Sequence, residues 1–173
     1  MSGVEADGLS KYLVPRDADP ESLFTTGFPM DDIHRVFGRL QAERVVFMVD
    51  TCFSGATGGR TFMRQVTRAG HLSPQFLDRL TKSRGRVIIS AAGPNELALE
   101  LPALGHGVFT YYLLRGLGGE ADRDKDSIVT LSELYEYLED RVSAHAQREG
   151  GRQRPIMKGE VEGQLPLVEV RKN

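Results

Sequence analysis

The sequence predicts an α/β fold with a mostly parallel sheet covered by helices on both faces, and three observations carry that expectation. Val45 to Val49 is a short, continuous apolar run, the pattern of a strand buried on both faces rather than the alternation of a half-exposed one. Arg86 to Ala91 is a second such run. Met30, Ile33, Phe37 and Leu40 recur at helical spacing ahead of the first run, and strands separated by helices imply parallel strands with helices packed on both sides.

Taken in chain order, Tyr12 to Val14 reads as a first strand and Asp31 to about Gln41 as an amphipathic helix. The Asp31-Asp32 pair stands at its amino end, where the helix dipole favours negative charge. The strand Val45 to Val49 follows. Ser73-Pro74 opens a short helix through Leu80, with serine as cap and proline in the first turn. After the strand Arg86 to Ala91 come helices from about Val108 to Leu117 and from Thr130 to His145. Leu165 to Val170 alternates as a final, edge strand.

A chain of 173 residues with 40% hydrophobic content can bury one core, and a single domain over residues 1–173 is expected. The net charge of -2, without a basic cluster, gives no electrostatic footprint for nucleic acid, and no apolar run is long enough to cross a bilayer. A lone cysteine forms no internal disulfide, and no signal peptide is recognisable, so a soluble protein of the reducing cytoplasm is expected.

That cysteine, Cys52, stands just past the end of the apolar strand, where open α/β sheets gather their reacting groups. A lone cysteine is more often a small buried hydrophobe. Here Asp50, Thr51, Ser54 and Gly55 surround it, material for an exposed turn rather than an apolar pocket, and a nucleophilic thiol is the competing reading.

Asp50-Thr-Cys-Phe-Ser-Gly55 resembles the Asp-x-Cys-x-Ser-Gly nucleophile motif of the caspase-like cysteine peptidases, as found in metacaspases and their bacterial relatives. Tyr12 to Pro20 is similar to the family's segment between the histidine loop and the cysteine strand. Ser90 to Glu100 is similar to a segment that lines the substrate pocket, and Gly105 to Tyr111 to a late helix start. The resemblance implies a caspase-like three-layer sandwich of which this chain holds the carboxyl-terminal larger part, without the first strands. It implies an endopeptidase with Cys52 as nucleophile and with Asp50, Ser90 and Glu100 binding substrate. The family's histidine lies in a Gly-His-Gly loop ahead of Val4, which has no counterpart here, so the dyad imidazole is expected outside this chain, on a preceding segment or a companion chain. His106, between two glycines, is the alternative base, although its position also reads as the start of the Val108 helix. His34, His71 and His145 read as surface or packing residues.

The resemblance places Asp50 at the base of the pocket for the residue preceding the cut, where an acid would select a cation and penalise an acidic side chain, so it implies peptide or protein substrates with Arg or Lys before the cut. Residues 56–85 are rich in Gly and basic residues and read as an exposed, solvated loop; the resemblance implies a processing loop there, with Arg60, Arg64, Arg68 and Lys82 as candidate self-cleavage points. The alternative function is a non-catalytic caspase-fold module that binds peptide or regulates an intact peptidase.

Asp122, Asp124, Asp126 and Glu133 occupy positions one, three, five and twelve of an EF-hand-like loop, a spacing that suits Ca2+, although Ser127 replaces the turn glycine. A capping box between Thr130 and Glu133 accounts for the same pattern. Asp31-Asp32 also resembles an acidic pair of the metacaspase calcium site, but Gly58, Gly59 and Arg60 stand where its acidic partner would be, and the helix-cap role accounts for both aspartates. No cofactor is required for the chemistry.

Overall fold

The computed structural model describes residues 2–4, 11–13, 15, 17–19, 21–50, 77–78, 81, 84–93, 96 and 98–170. Strands β1 (Ser2–Val4), β2 (Lys11–Leu13) and β3 (Phe28–Pro29) form an antiparallel sheet in that order, with helix α1 (Leu23–Thr26) between the last two. Helix α2 (Met30–Arg39) leads to β4 (Val45–Val49), and β5 is Arg86–Ser90. A hairpin of β6 (Glu100–Leu101) and β7 (His106–Gly107) runs into α3 (Val108–Arg115). Then come β8 (Ile128–Thr130), α4 (Leu131–Arg148), β9 (Ile156–Gly159) and β10 (Pro166–Glu169).

The central sheet has the order β4-β5-β9. β4 runs parallel to β5, in register from Val45 opposite Arg86 to Val49 opposite Ser90, and β9 closes the other side of β5 antiparallel. Among the described strands, the expected parallel pairing therefore holds at β4–β5 and not beyond it. An antiparallel edge strand on a parallel pair is a common arrangement. β10 pairs with β8 rather than joining the central sheet, so it is an edge strand of a two-stranded ladder.

β5 shows why the sheet needs helices on both sides, since all five of its residues are buried. Val87 and Ile89 pack with Val108 and Phe109 of α3 and with Leu134, Leu138 and Val142 of α4. Ile88, between them in sequence, points to the other face and packs with Met30, Ile33 and Phe37 of α2. The helical spacing seen in the sequence is therefore the buried stripe of α2, although Leu40 falls beyond the helix and is 40% exposed. The chain-order expectations for α3 and α4 hold to within a few residues. α3 stops at Arg115, because Gly116–Glu120 form a π-type turn in which Gly119 takes φ 115.

Arg86 is a charged residue at only 8% exposure. Its guanidinium donates to the carbonyls of Leu40, at 2.7 Å, and Ala42, at 2.9 Å, so the burial is satisfied by the chain leaving α2. Gly85, just before it, has φ +75, and a Cβ there would lie 2.0 Å from the Glu43 carbonyl oxygen. Only glycine permits that approach, and through it the Val45 N–H donates to the Gly85 carbonyl at 2.8 Å, extending the ladder of the parallel pair.

No helix among the described residues is long and apolar enough to cross a membrane. Leu138 is fully buried between α4 and the sheet, whereas Leu114 on α3 is 56% exposed. Leu138→Ala is expected to lower unfolding stability by about 2–5 kcal/mol, and Leu114→Ala to change it by no more than about 0.5 kcal/mol, as read from urea midpoints of the two variants.

Candidate active site

Parallel pairing brings the carboxyl ends of β4 and β5 to the same end of the sheet. Asp50 follows directly on β4. Beside it the Ala91 N–H donates to the Val49 carbonyl at 3.0 Å, carrying the ladder one step past β5. Ser90 is 4% exposed, and its hydroxyl donates to the Ala92 carbonyl at 3.1 Å, so it shapes the turn that leaves the strand.

The hairpin β6–β7 reaches the same end. Glu100 pairs with Gly107, and the Val108 N–H donates to the Leu99 carbonyl at 2.9 Å. Glu100 itself is exposed. α3 then starts from Gly107, an N-cap residue with no side chain to accept the orphan amides of the first turn. Asp50 fills that role from across the fold. Its Oδ2 accepts the Thr110 hydroxyl at 2.5 Å and the Thr110 N–H at 3.3 Å. The carboxylate thus faces the positive end of the helix dipole.

The segment between β5 and β6 is held by a residue that its sequence context disguises. Gln153 is 1% exposed. Its amide nitrogen donates to the Ala91 carbonyl at 2.9 Å and its amide oxygen accepts the Leu99 N–H at 2.9 Å, fastening both ends of the segment. Glu96, within it, accepts from the Arg154 N–H at 2.6 Å and pairs with the Arg152 guanidinium at 3.1 Å. In the sequence Gln153 sits between two arginines and looks solvated, and nothing in the pattern marks it. Thr110 did leave a signal, since a helix that begins after glycine, without a polar cap, needs an acceptor from elsewhere.

Cys52 lies outside the described residues, as do His71, Arg60, Arg64, Arg68, Lys82 and most of the expected 56–85 loop, and of the expected Ser73–Leu80 helix only Leu77 and Asp78 are described, both helical. The alternative base His106 is exposed on β7, one residue before the cap of α3, which fits its reading as a helix start. His34 stands on α2. His145 is a packing residue, its ring edge-on to Tyr112 and its Nδ1 3.0 Å from the Tyr112 hydroxyl.

Of the four acids in the EF-hand-like loop, three come together. Single carboxylate oxygens of Asp122, Asp124 and Asp126 lie within 4.8 Å of one another. Ser127, in the turn-glycine position, takes φ 74, and its N–H donates to Asp122 Oδ2 at 3.1 Å. The left-handed turn that usually requires glycine is therefore formed with serine. Asp122 Oδ1 is buried without a hydrogen-bond partner. Glu133 is committed elsewhere: its Oε2 accepts the Thr130 N–H at 3.0 Å and hydroxyl at 2.7 Å, its Oε1 accepts the Arg123 N–H at 3.2 Å, and Thr130 returns the cap to the Glu133 N–H. The capping box expected from sequence is thus complete, and the donor set that converges is three aspartates rather than three aspartates and a glutamate.

A groove of about 390 Å3 opens at the opposite end of β5, over Val87, Leu131, Met157 and Leu165 with Arg84 and Glu162 at its rim, away from Asp50 and Ser90. Comparison with protein-family models and with curated protein sequences returns no match to this chain.

Gln153→Ala would strip partners from the Ala91 carbonyl and the Leu99 N–H at once. A loss of about 1–3 kcal/mol in stability is expected, together with faster hydrogen exchange at the Leu99 amide, which NMR reads directly. The Thr130 N–H and hydroxyl, and then the Arg123 and Asp124 amides, hold the Glu133 carboxyl below its ordinary value of 4.5. A folded value below the unfolded one means that this contribution is complete above the unfolded value and vanishes as pH falls through the folded one. Glu133→Gln should therefore lower the melting temperature at neutral pH, and the difference from the unsubstituted protein should shrink as pH falls below the ordinary carboxyl value and through the lowered folded one, as followed by thermal melts across pH.

Proposed function

We propose that the chain carries the nucleophile and pocket acid of a caspase-like cysteine endopeptidase that cuts after Arg or Lys. The observation that carries this reading is Asp50, a half-buried carboxylate fixed by Thr110 at the end of a parallel strand, two positions before the chain's single cysteine. A fixed acid at a strand end suits recognition of a guanidinium or ammonium group, and it disfavours acidic side chains by like-charge contact. Glu100, exposed on the hairpin that leads into α3, is a second acid for the same cationic side chain.

In this reading the Cys52 thiolate attacks the carbonyl carbon of the scissile peptide, and an imidazole from outside this chain takes the thiol proton. The Cys52 backbone N–H helps to hold the oxyanion. The same imidazole then protonates the leaving amine, and water hydrolyses the thioester to free the acid and regenerate the thiol. The strand-end turn at Ser90 to Ala92 and the segment fastened by Gln153 form the rigid frame on which substrate is held. In the alternative reading, a module that binds but does not cut, the acid and frame keep their roles and Cys52 has none.

The test is hydrolysis of a fluorogenic arginyl peptide in calcium-containing buffer by this chain, alone and with a histidine-bearing segment supplied. Activity is expected only with that segment, and Cys52→Ala should abolish it. Asp50→Asn should cost at least about tenfold in kcat/KM for the arginyl peptide, the scale of a lost charged hydrogen bond. No hydrolysis in either arrangement overturns the peptidase reading in favour of the binding module.

A further inference from the structure

We infer that Thr110 is a positioning residue that sets the arginine selectivity of Asp50. This inference rests on the reading of Asp50 as the pocket acid. A carboxylate at the end of a strand has two side-chain torsions to fix before it can meet a planar guanidinium in a defined geometry. Thr110 holds one of its oxygens by donating to it twice, from Oγ1 at 2.5 Å and from its N–H at 3.3 Å. The N–H half of that clamp is present whatever side chain stands at position 110. The hydroxyl half is the shorter bond, and it is particular to serine or threonine.

The local sequence makes the clamp necessary. Gly107 gives α3 no side-chain cap, so the first-turn amide at Thr110 turns to the Asp50 carboxylate. The carboxylate is then oriented by a helix whose own position is fixed elsewhere, because Val108 and Phe109, the residues just before Thr110, are buried against β5. Orientation imposed in the free protein does not have to be paid for on binding, and it favours a cation that the carboxylate meets in one geometry over a neutral group of the same shape. Thr110 thereby acts on substrate through Asp50, without touching substrate itself.

Two amidated peptides of the same sequence, one ending in arginine and the other in citrulline, separate charge from shape. Their binding to the full chain is measured by isothermal titration calorimetry for the unsubstituted protein, Thr110→Val and Thr110→Ser. The unsubstituted protein is expected to prefer arginine. Thr110→Val should lose roughly tenfold of that preference with citrulline affinity unchanged, and Thr110→Ser should retain it. Thermal melts of both variants establish that they are folded, and serine keeps the test informative even where valine perturbs the fold. Equal preference in Thr110→Val and the unsubstituted protein overturns the inference while leaving the pocket acid in place. Equal weakening of both peptides assigns Thr110 to helix capping alone and overturns it as well. If the unsubstituted protein does not distinguish arginine from citrulline, the reading of Asp50 itself falls, and this inference with it.

Discussion

The parallel pairing of Val45–Val49 with Arg86–Ser90 is the constraint on which the rest of the molecule depends. Parallel strands cannot be joined by a tight turn, so residues 50–85 must carry the chain back to the start of β5. Both strands then finish at the same end, and Asp50 and Ser90, forty residues apart in sequence, become neighbours. The other end of the pair has equally little freedom. Gly85 must approach the Glu43 carbonyl more closely than any side chain allows, and Arg86 must bury its charge on the carbonyls of Leu40 and Ala42. These contacts fix the register at the end away from the site. A slip of one residue would turn Val87 and Ile89 from α3 and α4 toward α2, and Ile88 the other way, so that neither packed face would match its helices.

The two main helices beyond the sheet begin in different ways, and the difference has consequences for function. α4 caps itself through Thr130 and Glu133, a local arrangement that requires nothing from the rest of the fold. α3 has only Gly107 at its cap and takes its acceptor from Asp50 across the sheet end. A local cap stabilises one helix. A borrowed cap makes a helix start and a strand end mutually dependent, so whatever binds the carboxylate is coupled to the first turn of α3. Placing an acid where a helix dipole meets it also lets peptide dipoles and a hydroxyl help to hold a charged group in a half-buried position.

What the sequence reveals follows from how local each signal is. β4 can be read to the residue because five apolar side chains in a row, bounded by polar ones, suit a buried strand and are too few for a helix. The start of α4 is legible because its cap lies within three residues of it. β9 is hidden. Ile156, Met157, Lys158 and Gly159 show neither alternation nor an apolar run, and they form a strand because β5 offers them an edge. Gln153 is hidden for the same reason, since its partners Ala91 and Leu99 are more than fifty residues away. The aspartates of the EF-hand-like loop are legible as a spacing, yet Glu133 could be read either as their fourth member or as a cap. Only the hydrogen bonds to Thr130 decide between the two.

The two functional readings make the same demands on most of this structure. Both readings use Asp50, held by Thr110, and the segment that Gln153 fastens at Ala91 and Leu99. The readings part at Cys52 and at an imidazole, because bond cleavage requires a thiolate and a proton donor for the leaving amine, whereas binding requires neither. Cys52, two residues after Asp50, is the residue that the peptidase reading needs and that the binding module leaves without a role.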